Sequence, residues 1–419
     1  MSTDAASAGS SEWRRGWPVV LAAMIGIGTG PGLVQNLSSL FVPGLVAEFG
    51  WTRGQIGTAA ALGLLASIAV PFLGRIVDRF GARPMIVGAM LLLGGAYLGF
   101  TAMCGPLWHY QLLVAALALT VPGTSNLVYA KLIAAKFVAH RGLALGMATS
   151  GLSVTTLAMP PLIGAVIAAQ GWRAGFVTLA IATALIALPL VLLAMRGTPA
   201  GPTRPDPDQA TAVPIPGLTG AEARRDGRFW QLAMAVALIN FGAVGLVTSL
   251  VPFGLDRGLP ATQAAALLAS FGASQMVGRL AIGWLVDRYR PQTMAALFAL
   301  ASAAAFAVLA GGASGFALLM VAVFFAGLMN AAEQDLLPYF GVRLFGLRAF
   351  GEVYGTVLVI ALFGTASGIA GFGRLHDATG GYTLALAIAT AALVASALLF
   401  WTLKDRKLPK AQVVAASSI

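Results

Sequence analysis

Arg279 lies inside the apolar run 262–286, eight residues before Asp287. If that run is a helix, a rise of ~1.5 Å per residue puts Arg279 ~12 Å from the charged end. That is close to mid-depth of a hydrocarbon layer ~30 Å thick. A guanidinium does not shed its charge, so it must turn inward and face an anion or a fixed acid. Its planar fork suits a carboxylate, whose two oxygens it can bind together. Two acids share the predicament. Glu333 and Asp335 lie in the run 314–342, with Asp335 eight residues before Arg343. Ionised carboxylates at such depth are costly, so both are candidate proton carriers and candidate counter-ions for Arg279. They are two positions apart and project to nearly opposite helix faces. Lys131 is a third candidate for coupling, although its long stem can also snorkel toward the end of its run. Uncharged polar residues complete the set. Asn126 and Tyr129 accompany Lys131, Gln35 and Asn36 lie in the first apolar run, and Asn330 precedes Glu333 by three. Each is a candidate hydrogen-bonding partner for a substrate or, alternatively, for a neighbouring helix.

The elements that must position these residues are apolar segments. The chain has 419 residues, 58% of them hydrophobic and 10% charged, where a soluble domain carries roughly 25% charged residues. Cutting at charges and Gly/Pro turns gives twelve segments of membrane-spanning length. The first six lie at roughly 17–46, 54–77, 84–104, 107–136, 142–169 and 173–196. The second six lie at roughly 228–255, 262–286, 292–312, 314–342, 350–375 and 380–403. Between the sets, 197–227 holds six prolines, five glycines and no apolar run, which predicts a linker. The expected organisation is therefore a tail at 1–16, a six-helix bundle at 17–196, a linker at 197–227, a second bundle at 228–403 and a tail at 404–419. The first tail, small and polar, is expected to be unstructured.

A net charge of +11 comes from 26 Lys and Arg against 15 Asp and Glu. In a chain this apolar it argues for membrane orientation rather than nucleic-acid binding. With the N-terminus inside, 20 of the 26 basic residues fall on cytoplasmic segments. Both termini are then cytoplasmic, and Arg53, Arg173, Arg257 and Arg374 lie at outer ends. His109 and His376 fall near the outer surface and His140 in a cytoplasmic turn, where solvated roles are expected. Cys104 is the single cysteine, so no internal disulfide and no cysteine metal site is predicted. No metalloprotease, serine-hydrolase or phosphate-loop pattern is present, so no cofactor, no metal and no enzymatic activity are expected.

The halves repeat at an offset of 209: Pro43 pairs with Pro252, Gly74 with Gly283, Asp78 with Asp287 and Arg79 with Arg288. A parallel six-plus-six repeat is a transporter architecture. The paired Asp-Arg turns, at Gly74, Asp78, Arg79, Gly81 and Arg83 and again at Gly283, Asp287 and Arg288, resemble the signature turn of the major facilitator superfamily. In the second copy Arg290 stands where the later Gly would be. The resemblance implies an all-α membrane protein of two pseudo-symmetric six-helix bundles. It also implies a cytoplasmic gate built from Gly74, Asp78, Arg79, Arg83, Asp287 and Arg288. Such acids need a cation or a helix N-terminus beside them, and breaking that pairing would let the halves rock.

Within that family the chain resembles the monocarboxylate–proton symporters. The residues that carry the likeness are Gln275-Met276-Val277-Gly278-Arg279, Gly171-Trp172-Arg173 and Arg141-Gly142-Leu143-Ala144-Leu145-Gly146. The resemblance implies that Arg279 binds a substrate carboxylate and that a proton travels with it. Two family positions differ. Gln275 replaces an aspartate, and the first span has no lysine. Glu333, Asp335 or Lys131 must then carry the proton. The expected function is proton-coupled symport of a small organic monocarboxylate by alternating access, in a bacterial inner membrane. The expected partners are the anion, protons and lipids, and the protein is expected to work as a monomer. Proton-coupled efflux of amphiphiles is the alternative, although no acid occurs in the first or fourth span. A non-transporting receptor is a further alternative, although no soluble signalling domain accompanies the spans.

Overall fold

A computed structural model describes residues 2–69, 82–124, 128–129, 132–133, 136–137, 140–196, 217–286 and 288–405. The expected gate residues Gly74, Asp78, Arg79 and Asp287, together with Asn126 and Lys131, lie outside the described residues.

The first expected span is broken. Helix α1 (Ser2–Gly28) ends at Thr29-Gly30, and α2 (Pro31–Leu37) restarts with a bend of 40°. Proline at the first position of α2 explains the restart, because its missing N–H would have no intrahelical partner there. A 3₁₀ turn, Ser38–Leu40, leads into α3 (Val42–Phe49), which ends at Gly50 with φ +68°. That left-handed cap favours glycine. Helix α1 starts at Ser2, so the segment expected to be an unstructured tail is helical.

The rest of the first bundle comprises α4 (Arg53–Leu64), α5 (Ala82–Thr101), α6 (Leu107–Leu119), α7 (Val121–Thr124), α8 (Arg141–Gln170), α9 (Trp172–Ile181) and α10 (Leu188–Ala194). Wider π-type turns at Ala182–Ala187 join the last two. Inside the segment 197–227 expected to be a linker lies a short helix, α11 (Gly220–Arg225), and six long helices follow: α12 (Gly227–Asp256), α13 (Ala261–Val286), α14 (Pro291–Ala310), α15 (Phe316–Phe345), α16 (Phe350–Thr379) and α17 (Thr383–Thr402). Among the described residues, nine helices are long and apolar enough to cross a membrane, and the bent α1–α2 pair makes a tenth. Trp108, Trp230, Trp284 and Trp401 are all more than half exposed and lie near helix ends, where amphipathic rings favour the membrane interface.

Among the described residues the two most extensive contacts between the bundles are α4 with α16 and α8 with α13, and α12 also touches α2, the 3₁₀ turn and α3. Both of the extensive contacts depend on glycine. A Cβ on Gly57 would lie 2.6 Å from the Ile369 carbonyl oxygen, and one on Gly272 would lie 2.6 Å from the Leu157 nitrogen. With little hydrophobic force between helices in lipid, such close backbone approach is what gains packing energy. The same device holds the second bundle together, where a Cβ on Gly364 would meet the Ala237 carbonyl oxygen at 2.2 Å.

Two ends can be told apart by their ion pairs. At the Asp256 end, Arg173 of α9 pairs with Glu48 of α3, its Nε donates to the Thr101 carbonyl at 3.0 Å, and Trp172 Nε1 donates to Glu48 at 2.8 Å. The Arg173 hydrogen bond, helped by Trp172, holds the Glu48 carboxyl below its usual range. The Gly171-Trp172-Arg173 triplet therefore ties three helix ends together. At the other end Arg343 donates to both oxygens of Asp405 at 3.0 Å, and Gln292 Nε2 donates to Asp405 at 2.7 Å. These contacts, Arg343 foremost, depress the Asp405 carboxyl.

Candidate functional site

Helix α13 turns Arg279 inward and its neighbour Leu280 outward, where Leu280 is 71% exposed. One step along a helix is enough to separate a buried cation from a lipid-facing chain. Arg279 meets α15 twice. Its Nε lies 3.7 Å from Asp335 Oδ2, and its Nη2 donates to Gln334 Oε1 at 2.9 Å. The Nε–H is buried and has no hydrogen-bond partner among the described residues. The Arg279 side chain is 14% exposed and that of Asp335 40% exposed.

One turn back on α13, Gln275 donates through Nε2 to Asn330 Oδ1 at 3.1 Å, and both residues are buried. Glu333 is 5% exposed and lies on the other face of α15. Asn240 of α12 is the polar side chain beside its carboxyl; Asn240 Nδ2 donates to the Val236 carbonyl at 3.0 Å, and Thr365 of α16 donates to Asn240 Oδ1 at 3.3 Å. The opposite projection of the two acids is thus realised: Asp335 meets Arg279, and Glu333 meets Asn240. Tyr339, on the Asp335 face, accepts from Arg343 at 3.0 Å.

The first bundle contributes a cavity of about 380 Å³. Gly30, Gly32, Gln35 and Ser38 line it where α1 breaks, with Thr124 opposite. Aromatic rings of Phe41, Phe100, Tyr110 and Phe176 form much of the remaining wall, and Arg53, Thr248, Ser249 and Tyr382 close one side. Asn36 turns away from this space and donates to Thr156 Oγ1 at 3.0 Å, joining α2 to α8. Tyr129 is fully buried against α1, where Gly26 leaves room for its hydroxyl. Arg83 is half-buried in the first turn of α5, and Arg288 is exposed with its guanidinium 4.1 Å from the Trp284 ring centroid.

Several residues of this arrangement had weak sequence signals. Gln275 shares a helical face with Arg279, four positions on, which could have marked it. Gln334 sits beside the acids but reads as surface. Asn240 and Thr365 are single polar residues in apolar runs. Arg53, expected at an outer end, also lines the cavity.

The profile of the Major Facilitator Superfamily matches residues 17–357. The chain belongs to the Major Facilitator Superfamily. This facilitator is 28% identical to monocarboxylate transporter 11 of Mus musculus over 96% of its own length and 90% of the relative's. It is 25% identical to the 3-(3-hydroxy-phenyl)propionate transporter of Escherichia coli (strain K12), covering 80% of this chain and 81% of that one. Among solved structures it is similar in fold to a bacterial homolog of the human lysosomal transporter Spinster in an inward-facing, unoccupied conformation. That match has a TM-score of 0.70 and 17% identity, covering 92% of this chain and 94% of the other. The facilitator is therefore an integral membrane transport protein with the twelve-helix fold, related to the monocarboxylate transporters. That family is not an enzyme class.

Proposed function

We propose that this facilitator moves a small organic monocarboxylate together with a proton, by alternating access. The observation that carries the reading is the Arg279–Asp335 contact, with a buried Arg279 Nε–H left without a partner. Among the described residues Arg279 faces one acid, at 3.7 Å, and a substrate carboxylate can supply the bidentate acceptor that its Nε–H lacks. Protonation of Asp335 removes the competing charge and frees Arg279 for the anion. Release of the anion restores the pair and expels the proton. Asp335 takes this part rather than Glu333 because its side chain is open to solvent exchange, whereas Glu333 is enclosed. Gln275 and Asn330 satisfy each other and keep this face of the two helices in register.

In this reading Gln35 offers a polar contact in the cavity wall, with Asn36, Asn126, Tyr129 and Asn330 as further contacts that rocking of the bundles would bring in. Lys131 is the reserve coupling group. Gly74, Asp78, Arg79, Arg83, Asp287 and Arg288 form the cytoplasmic gate. The termini are cytoplasmic in a bacterial inner membrane, which places the Asp256 end outside. The names of the relatives support an organic acid as cargo. The decisive experiment is uptake of labelled monocarboxylates into proteoliposomes under an imposed proton gradient, for the native chain and for Arg279→Ala. Gradient-driven uptake by the native chain, absent in the variant, is expected. Equal uptake by both would refute the reading.

The aromatic wall of the cavity favours one alternative, efflux of apolar amphiphiles by proton antiport. Solute leaving acid-outside vesicles against its gradient would establish it.

A further inference from the structure

The ion network at the Asp256 end has a feature that its role as a simple closure does not require. Arg53 is the first residue of α4, and a capping box sets it there: Thr52 Oγ1 accepts from the Gln55 N–H at 3.1 Å while Gln55 Oε1 accepts from the Thr52 N–H at 2.9 Å. From this fixed position its guanidinium crosses to the other bundle. Nη1 and Nη2 donate to the two oxygens of Asp256, at 2.5 and 2.8 Å, at the end of α12. Nη1 also donates to His376 Nε2 at 2.9 Å on α16 and to the Tyr382 hydroxyl at 3.2 Å. Asp377 accepts from the Gly54 N–H at 2.8 Å, and Arg374 Nε donates to Thr58 at 2.9 Å. Every one of these contacts joins α4 of the first bundle to the second bundle.

The His376 contact is sensitive to protonation. Arginine can only donate, so Nε2 accepts from Arg53 across the 2.9 Å contact only while Nε2 carries no proton. Nδ1 lies 3.8 Å from Asp377 Oδ1. Nε2 lies 3.3 Å from Asp256 Oδ2, the same oxygen that Arg53 binds. The side chain is 18% exposed, not the freely solvated group expected from its place near a helix end.

We propose that His376 is a proton-operated switch on the outer gate. A proton from solvent enters at Nε2. The new N–H faces the Arg53 guanidinium at a distance where two donors repel, and it has Asp256 Oδ2 within reach as its acceptor. Asp256 then pairs with His376, which belongs to its own bundle, at the expense of Arg53, which belongs to the other. An interbundle ion pair becomes an intrabundle one, and the outer gate is released. Loss of the proton re-forms the Arg53 bonds and closes it. The charged and titratable groups facing the imidazole are Arg53 from α4, Asp256 from α12, Tyr382 ahead of α17 and Asp377 on α16 itself. Arg374, two residues back, is turned to Thr58. The switch is separate from the Arg279–Asp335 pair and does not depend on which solute is carried.

The test measures the gate directly. The native, exposed Cys104 and an added Ala261→Cys place one spin label on each bundle at the Asp256 end. Distance distributions are recorded for the full chain in lipid nanodiscs at about pH 8 and about pH 5, the limits between which an imidazole changes charge. The native background should gain a longer-distance component at the acid limit. His376→Gln, whose amide oxygen can accept from Arg53 but cannot take up a proton, should stay at the short distance at both limits. Asp256→Asn, with the interbundle pair removed, should show the longer distance at both. A His376→Gln variant that keeps the native acid shift would overturn the proposal, as would an Asp256→Asn variant closed at both limits.

Discussion

Arg279 Nε lies 3.7 Å from Asp335 Oδ2, so a cation on α13 and an acid on α15 face one another inside one bundle. The relationship converts two separately costly charges into one device. Neither can be changed without exposing the other, and under the proposed function a substrate carboxylate would compete for the same guanidinium.

Arg279→Ala should abolish carboxylate uptake in proteoliposomes while the protein still elutes as a folded species. Arg279→Lys should recover little, because a point charge lacks the planar fork. Loss of a charge-assisted hydrogen-bonding pair is worth about 1.5–3 kcal/mol, a roughly ten- to hundredfold loss in apparent affinity. Equilibrium binding of the same solute checks it.

Asp335→Asn should separate binding from coupling. Exchange of labelled for unlabelled solute across the vesicle should persist, because Arg279 is free for the anion. Accumulation driven by a proton gradient should be lost. Glu333→Gln should leave accumulation in place, given its enclosure beside Asn240. The opposite pattern would move proton coupling to Glu333.

Gly57→Ala should weaken closure at the Asp256 end. Its Cβ would lie 2.6 Å from the Ile369 backbone oxygen, and backbone cannot step aside as a flexible side chain can. Overpacking of this kind costs about 1–3 kcal/mol. Since the contact joins the bundles, the cost falls on the closed form rather than on each bundle's own fold. The label pair described for the Asp256 end should show a longer distance at neutral pH, with little change in melting temperature.

Asp405→Asn should flatten the acid limb of the stability curve. The folded carboxyl is held down by Arg343 and then by Gln292. A depressed acid contributes stability that is fully present above its unfolded value, about 3.9, and is lost as pH falls through the lower folded value. The difference in Tm between the native chain and the variant should therefore be constant near neutrality and shrink below about pH 4.

Arg279, Glu333 and Asp335 were legible because charge in an apolar run is conspicuous whatever the fold. Their mutual pairing was one of several open options, since helical phase states which residues share a face and not which helix lies opposite. Asn36 and Gln35 are adjacent and chemically alike, yet only Gln35 lines the cavity while Asn36 bonds to Thr156. The break at Thr29-Gly30 turns α2 relative to α1, and a straight helical projection cannot anticipate that. His376 misled for a related reason. Proximity to a helix end suggested solvent, but α4 packs against α16 and covers it.

The amino-acid sequence by itself determined the twelve-span plan, the duplication and the short roster of charges too deeply placed to be idle, because hydrocarbon penalises every unsatisfied polar group regardless of detail. The tertiary structure decided the partners: Asp335 and Gln334 for Arg279, Asn240 for Glu333, and Asp256 with His376 for Arg53. Partner choice depends on which helices approach closely. That is set by glycine contacts and a kinked first span acting across hundreds of residues, a relationship that periodicity along one helix does not contain.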